Sequence, residues 1–410
     1  MMGLIHHPKS SFEEPPLHIL LLTPKLEPSD PANERWVQLS GGFRDHGLSL
    51  VCVGVQVGRK LDSVALRQAE DFQTQQAFDL VISSGPPIRA HLTAQAFAKM
   101  AGISWVADWP EPLALESHKI LGWFDRRLEA KLLRAADRVL VSSEAFAHKY
   151  RALRGDRDTS LLVVRNGFDR NELRPVKQPI NRERLRIVCS QSSEFNSRQF
   201  NPRQFNPVPF LESLQTRTNL RESLEVIFGR ASIRIADLVQ KFELEDCVHC
   251  LNASESEAAA LEVSADVLMS FGLNSAYRSP AGLTRVLARK RPILHVFENA
   301  LDPSFEVLNG APHLTSENNR FALTAALESA IQGDWVMPNG VSSVLSPEQY
   351  CWDAIGRSLV GFVCVAGSDR AISEQTGSEQ TGSEQTGSDL TGSGATGVSR
   401  QAVSGVTANI

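Results

Sequence analysis

The first 170 residues of the chain alternate short, continuously apolar runs with longer stretches whose apolar residues recur at helical spacing. LHILLL (17–22) is followed by the helix-like NERWVQLSGGFRDHG and then by LSLVCVGV (48–55). FDLVISSG (78–85) precedes RAHLTAQAFAKMAG, and ISWVADW (103–109) comes directly after it. RLEAKLLRAA (127–136) leads into DRVLVSS (137–143), and TSLLVVRNGFD (159–169) completes the set. Uninterrupted apolar runs suit strands buried on both faces, so the pattern predicts a parallel sheet with helices on each side. Each run ends in small or polar residues, at the edge where such sheets hold ligands.

The pattern then restarts. RLRIVCSQS (184–192), SLEVIFG (223–229), DCVHCL, ADVLMSFG (265–272) and RPILHVF (291–297) read as strands. VPFLESLQTR, SIRIADLVQKFEL, ESEAAALEVS and SPAGLTRVLARK read as the helices between them. The expected organisation is α/β: a flexible segment over 1–16, a Rossmann-like domain over 17–175 and a second over 176–345. SPEQYCWDAIGRSLVGF predicts a closing helix within 346–366. From Ser373 the chain repeats SEQTG, SEQTG, SEQTG, SDLTG, SGATG, which cannot bury enough apolar area to offset backbone ordering. A disordered tail is therefore expected over 367–410. RQFNP also occurs twice in tandem, at 198–202 and 203–207.

Composition narrows the function classes. A net charge of −5 gives no reason to expect a nucleic-acid partner. The N-terminus lacks a signal peptide's apolar stretch, and no run approaches the roughly 18 apolar residues that span a bilayer. Of six cysteines, Cys247 and Cys250 form a lone CxxC inside a predicted strand, which reads as buried, reduced thiols. The ten histidines show no metal-ligand spacing, and His118 reads as a surface residue. No metal site is expected. The expected setting is cytoplasmic, with room for peripheral attachment at the inner face of a membrane.

Several stretches together resemble the family 4 glycosyltransferases. FDLVISSGPPIRAHLTAQAFAKMAGISWVADW is similar to that family's strand, Ser/Pro turn and helix before an acceptor-side strand. ADRVLVSSEAFAHKYRAL and VVRNGFDRNEL resemble its inter-domain approach, with the turn Asn166-Gly167-Phe168-Asp169. RQFNPVPFLESL, FELEDCVHCL and ADVLMSFG are similar to its donor-domain elements. The resemblance covers roughly 17–365 and implies the GT-B architecture, two Rossmann-like domains facing a cleft. It further implies a nucleotide-sugar donor bound by the second domain and a glycan or lipid-linked acceptor held by the first. Transfer with retention, without metal or other cofactor, is implied too, with arginine and lysine stabilising the diphosphate leaving group.

Candidate site residues follow from that frame. Arg203, and Arg198 in the duplicate, resemble a basic residue placed on the diphosphate; the plain alternative is a surface arginine in a variable loop. Arg230 follows a predicted strand, as a phosphate contact or as an exposed arginine opening a helix. Ser279 reads as an N-cap with Pro280 after it, so the helix carrying Gly282 could receive a phosphate on its free N–H groups. Tyr277 and Arg285 stand where the family carries a Glu-x7-Glu pair, and arginine cannot accept from a ribose diol. ADWPEPL resembles an acceptor-side acidic segment, giving Asp108 and Glu111 as candidate catalytic carboxylates, with Pro110 in place of an arginine. Pro31-Ala32 replace a glycine pair whose loop lets backbone approach the ligands. These departures keep open a catalytically degenerate GT-B scaffold. A GT-B nucleotide-sugar epimerase, working through a carboxylate pair, is the other alternative.

Overall fold

The computed structural model describes residues 17–24, 31–85, 88–112, 121–154, 160–172, 183–190, 206–277, 282–337 and 347–365. The first domain alternates strand and helix: β1 (His18–Pro24), α1 (Pro31–Asp45), β2 (Ser49–Val55), α2 (Ser63–Gln75), β3 (Leu80–Ser84) and α3 (Ile88–Ala101). It continues through β4 (Ser104–Trp109), α4 (Leu121–Ala135), β5 (Arg138–Val141), α5 (Glu144–Arg154) and β6 (Leu161–Val163). The six strands are parallel in the order β2-β1-β3-β4-β5-β6. β1, β3 and β4 are buried almost throughout, which explains why they read as unbroken apolar runs. Residues of alternating parity feed two cores. One packs Leu20, Leu22, Val81 and Ala107 under α2 to α5, and the other packs Ile19, Leu21, Ile82 and Val106 under α1.

The second domain repeats the plan. It runs β7 (Leu185–Cys189), α6 (Val208–Gln215), α7 (Thr218–Ser223), β8 (Leu224–Phe228), α8 (Ile233–Lys241) and β9 (Val248–Cys250). Then follow α9 (Glu255–Ser264), β10 (Val267–Phe271), α10 (Leu283–Ala288), β11 (Ile293–Phe297), α11 (Phe305–Leu308), β12 (His313–Glu317) and α12 (Arg320–Gln332). Its six parallel strands lie in the order β12-β11-β10-β7-β8-β9, so the order reverses between β7 and β10. Crevices at such a reversal are where doubly wound sheets place ligands.

The chain then returns to the first domain. After a 3₁₀ turn at Pro347–Tyr350, helix α13 (352–365) lays Trp352, Ile355, Leu359 and Val363 into the core beside Trp36, Leu39 and Phe43 of α1. Burying each such side chain contributes about 1.5–3 kcal/mol. The helices cross backbone to backbone: a Cβ on Gly42 would stand 3.2 Å from the Cα of Gly356. At the crossing of the two inter-domain segments, Phe168 N–H donates to Tyr350 O at 3.0 Å and Trp352 N–H to Phe168 O at 3.1 Å. Gly167 is required there, since a Cβ would meet the Trp352 ring at 2.7 Å. The NGFD turn is thus the hinge point where the outgoing and returning chains pass. The segment 1–16 expected to be flexible, position 366 of the closing helix and the tail expected to be disordered lie outside the described residues.

Candidate functional site

At the C-terminal edge of the first sheet the sequence places Asp108, the penultimate residue of β4. It does not face a cleft: it is fully buried and accepts three side-chain donors. Ser84 Oγ donates at 2.9 Å, Trp36 Nε1 at 3.0 Å and Arg35 Nη2 at 3.3 Å. Arg35 in turn donates to Val164 O at 2.9 Å and to Asn166 Oδ1 at 3.3 Å, tying α1, β3, β4 and the hinge into one network. A fully buried carboxylate engaged by three donors from other elements holds the edge in shape and is not exposed to a ligand. Glu111 lies half-buried just beyond β4. The two candidate carboxylates are therefore not brought together as a working pair. Pro31, expected in a loop, is the first residue of α1. His118 lies outside the described residues.

The C-terminal edges of the two sheets meet. Ser143, two residues past β5, donates through Oγ to the backbone oxygen of Tyr277, beyond β10, at 3.2 Å. Lys149 Nζ donates to the Tyr277 hydroxyl at 2.7 Å and lies 4.7 Å over its ring. Glu306 of α11 accepts from the first N–H groups of α5, Glu144 at 3.1 Å and Ala145 at 3.2 Å, and from Arg165 at 2.6 Å. A carboxylate on a helix N-terminus satisfies donors that have no partner within the helix and complements the dipole. These contacts enclose a mostly apolar groove of about 480 Å³ that includes Lys149, Tyr277, Leu301 and Phe305. Tyr277 thus works as a bridge to the first domain.

On the second domain, Arg230 leaves β8 exposed to solvent, on a loop braced by Ala231 N–H to Leu251 O and Ala253 N–H to Gly229 O, both at 2.8 Å. This is an exposed basic side chain at the C-terminal edge of the second sheet, the edge at which doubly wound sheets generally hold ligands. Arg285 is differently placed. Its Nη1 pairs with Glu255 at 3.1 Å and its Nε lies 4.0 Å from Glu262. Glu262 is buried and also takes Arg289 Nε at 2.7 Å and the Ser190 hydroxyl. Together with Asp169 of the hinge, Arg285 and Arg289 line a cavity of about 610 Å³. The helix predicted from Ser279 is a six-residue helix starting at Leu283, with Gly282 at its N-cap and no side-chain cap bond. Ser279, Arg198 and Arg203 lie outside the described residues.

Further polar groups were not visible as site residues in the sequence. Ser270, His295 and Asp302 form a fully buried chain, His295 standing 3.3 Å from each partner. Gly272 lies against it, where a Cβ would overlap Asp302. His91 stacks on Trp109 at 3.9 Å and contacts Ser83 Oγ at 2.8 Å; its burial lowers the imidazole to about 3. Burial pushes the thiols of Cys247 and Cys250 up to about 11, which keeps them protonated at neutral pH. Among the described residues no group of three His, Cys, Asp or Glu is arranged to hold a metal, and no helix is long and apolar enough to cross a membrane.

Comparison with known proteins accords with this geometry. Residues 17–167 match the family model described as a glycosyl transferase 4-like domain. No curated protein matches the sequence. HepE of Anabaena, solved in complex with UDP, superposes with a TM-score of 0.61 at 14% identity, over 85% of this chain and 100% of that one. A glycosyltransferase of Rickettsia africae gives 0.61 at 11% identity, over 86% and 98%. The UDP-GlcNAc 2-epimerase of Neisseria meningitidis, bound to UDP-GlcNAc, gives 0.53 at 9% identity, over 85% and 100%. Identities this low establish a shared fold. The chain has the GT-B fold, and its residues 17–167 match the model of a glycosyl transferase 4-like domain.

Proposed function

We propose that the protein transfers a sugar from a UDP-sugar donor to a glycan or lipid-linked acceptor in surface polysaccharide assembly, with retention and without a metal ion. The observation that carries this reading is the meeting of the two sheet edges at Ser143 and Tyr277, with Arg230 exposed on the second-domain edge. UDP is chosen because structures sharing this fold were solved with it. In this reading Arg230, joined by Arg198 and Arg203, stabilises the charge that develops on the diphosphate as the glycosidic bond breaks. Gly282 offers a backbone N–H at the start of α10, and Ser279 a hydroxyl. Glu111, half-buried just beyond β4, is the candidate carboxylate for meeting acceptor hydroxyls. Asp108 acts through Arg35 and Ser84 by fixing the edge on which the acceptor rests.

A second reading has its own observation. Arg285 is paired with Glu255 rather than directed at a nucleoside, which favours a GT-B scaffold that has lost donor turnover. An epimerase is disfavoured because Asp108, half of its carboxylate pair, is fully buried and engaged by internal donors.

The test is incubation of the full chain with a panel of UDP- and GDP-sugars, with and without oligosaccharide and polyprenyl-phosphate-linked acceptors. Acceptor-dependent release of UDP, with the donor's anomeric configuration kept in the product, supports the transferase. Interconversion of UDP-GlcNAc without acceptor would establish the epimerase. No binding or turnover by a protein that melts cooperatively would establish the scaffold.

A further inference from the structure

A cavity of about 280 Å³ beside the hinge plays no part in the proposed reaction. It lies along β6, the outermost strand of the first sheet, against the 3₁₀ turn and α13. Its walls therefore come from both inter-domain segments: Leu162, Val163 and Arg165 from the outgoing chain, and Tyr350, Ala354 and Ile355 from the returning one. The polar groups suit one kind of ligand. Among the described residues that line the cavity, Arg165 carries the only charge, and there is no carboxylate. Gln349 and Ser358, both exposed, add an amide and a hydroxyl. Tyr350 is 4% exposed, and its hydroxyl is buried without a hydrogen-bond partner. A buried hydroxyl left unpaired lowers stability, so its presence asks for another reason. Burial pushes the Tyr350 phenol above its ordinary value, so it keeps its proton and can donate at neutral pH.

We infer that this cavity is an effector site for a small organic anion, an oxyanion head on a short aliphatic body, which competes with Glu306 for Arg165. The head meets the Arg165 guanidinium and the Tyr350 hydroxyl, and the body lies on Leu162, Val163, Ala354 and Ile355. The volume falls just below the range of drug-sized pockets, which selects a small molecule. Glu306 already takes Arg165 through Nη2 at 2.6 Å. A guanidinium offers five donors in a planar fork, so a second oxyanion can approach it from the cavity. Two anions sharing one cation weaken each other's hold, and the clasp of Glu306 on Arg165 and α5 loosens. Position gives the ligand leverage as well. The Phe168–Tyr350 and Trp352–Phe168 backbone bonds cross where the same two segments pass. A ligand touching both segments binds different hinge arrangements unequally, which is what shifts a population. UDP held between the two sheet edges favours the clasped arrangement, an implication that rests on the proposed transferase; the anion site itself does not.

The experiment is isothermal titration of the full chain with butanoate, hexanoate, octanoate and hexanol, alongside UDP titration of the same samples. Affinity should rise about fourfold per methylene along the carboxylates, and hexanol should bind about tenfold more weakly than hexanoate. Ala354→Leu, which fills the cavity, should abolish hexanoate binding without lowering the melting temperature. Tyr350→Phe should weaken hexanoate about fivefold, again without a lower melting temperature, since the hydroxyl has no partner to lose. Glu306→Gln should tighten hexanoate about fivefold, the signature of competition for Arg165. Saturating hexanoate should weaken UDP, and UDP should weaken hexanoate by the same factor. A folded chain that ignores the carboxylates, binds hexanol equally well, or keeps its hexanoate affinity in Ala354→Leu overturns the site. Hexanoate affinity unmoved by Glu306→Gln overturns the competition. UDP binding without hexanoate binding would sink the effector site alone, and hexanoate binding without UDP binding would sink the transferase alone.

Discussion

Asp108 lies next to the end of a strand of the first sheet as a fully buried carboxylate ringed by three donors, whereas Arg230 leaves a strand of the second sheet exposed to solvent. Both sheets are doubly wound, and both residues sit at the C-terminal edge of their sheet, where such folds generally hold ligands. The difference lies in what surrounds them. In the first domain α1 brings Arg35 and Trp36 over the edge, and α13 clamps α1 from behind. That edge is preformed, and its polar residues answer to one another. In the second domain the edge leaves Arg230 available and turns Arg285 back on Glu255. Substitutions at the first edge should therefore appear as stability, and those at the second as affinity.

The sharpest way to break that contrast is Asp108→Ala. It strands the buried Arg35 guanidinium, and the cost should be about 3–5 kcal/mol in urea denaturation. A cost below about 1 kcal/mol would show that solvent already reaches the network. Next in size is a pH effect in the same domain. His91 is neutral in the fold, with its value lowered by burial to about 3, while in the unfolded chain it titrates near the ordinary histidine value of about 6.5. The unfolded state therefore binds the extra proton between those values, and stability is lost as pH falls from 6.5. The slope should approach 1.4 kcal/mol per pH unit, about 2–3 kcal/mol by pH 4.5. His91→Gln should remove that component from a series of denaturation curves.

At the second edge the expected effect is on binding. Arg230→Ala should weaken UDP about tenfold, near 1.4 kcal/mol, with an unchanged melting temperature. The smallest effect lies away from both edges. Lys290, after α10, holds a left-handed φ of 52° where glycine costs nothing sterically. Lys290→Gly should raise stability by about 0.5 kcal/mol, partly offset by losing an exposed ion pair with Glu348.

Eleven of the strands overlap apolar runs legible in the sequence, from LHILLL at β1 to RPILHVF at β11, because strands buried on both faces leave an unbroken apolar signature. The strand β12 was not legible. It is the sheet's edge, and His313, Thr315 and Glu317 are not buried, so HLTSE carries no such run. The closing helix was read as a local element, but its crossing to α1 depends on Gly42 and Gly356, more than 300 residues apart in sequence. Site residues were harder for the same reason. Asp108 was legible as a strand-end carboxylate, yet its burial is decided by Arg35, 73 positions earlier. Arg285 was legible as a departure from the family pattern, while its engagement with Glu255, 30 positions earlier, was not. Side chains whose role is set by partners on other elements leave little periodic trace.

The central claim is that the second-domain edge binds a nucleotide diphosphate through exposed basic groups, and isothermal titration of UDP into the full chain and its Arg230→Ala variant tests it most directly. The account predicts saturable binding at one site, weakened about tenfold by the substitution and unaffected by EDTA. Absence of binding in a chain that melts cooperatively, or equal affinity in the two proteins, would contradict it.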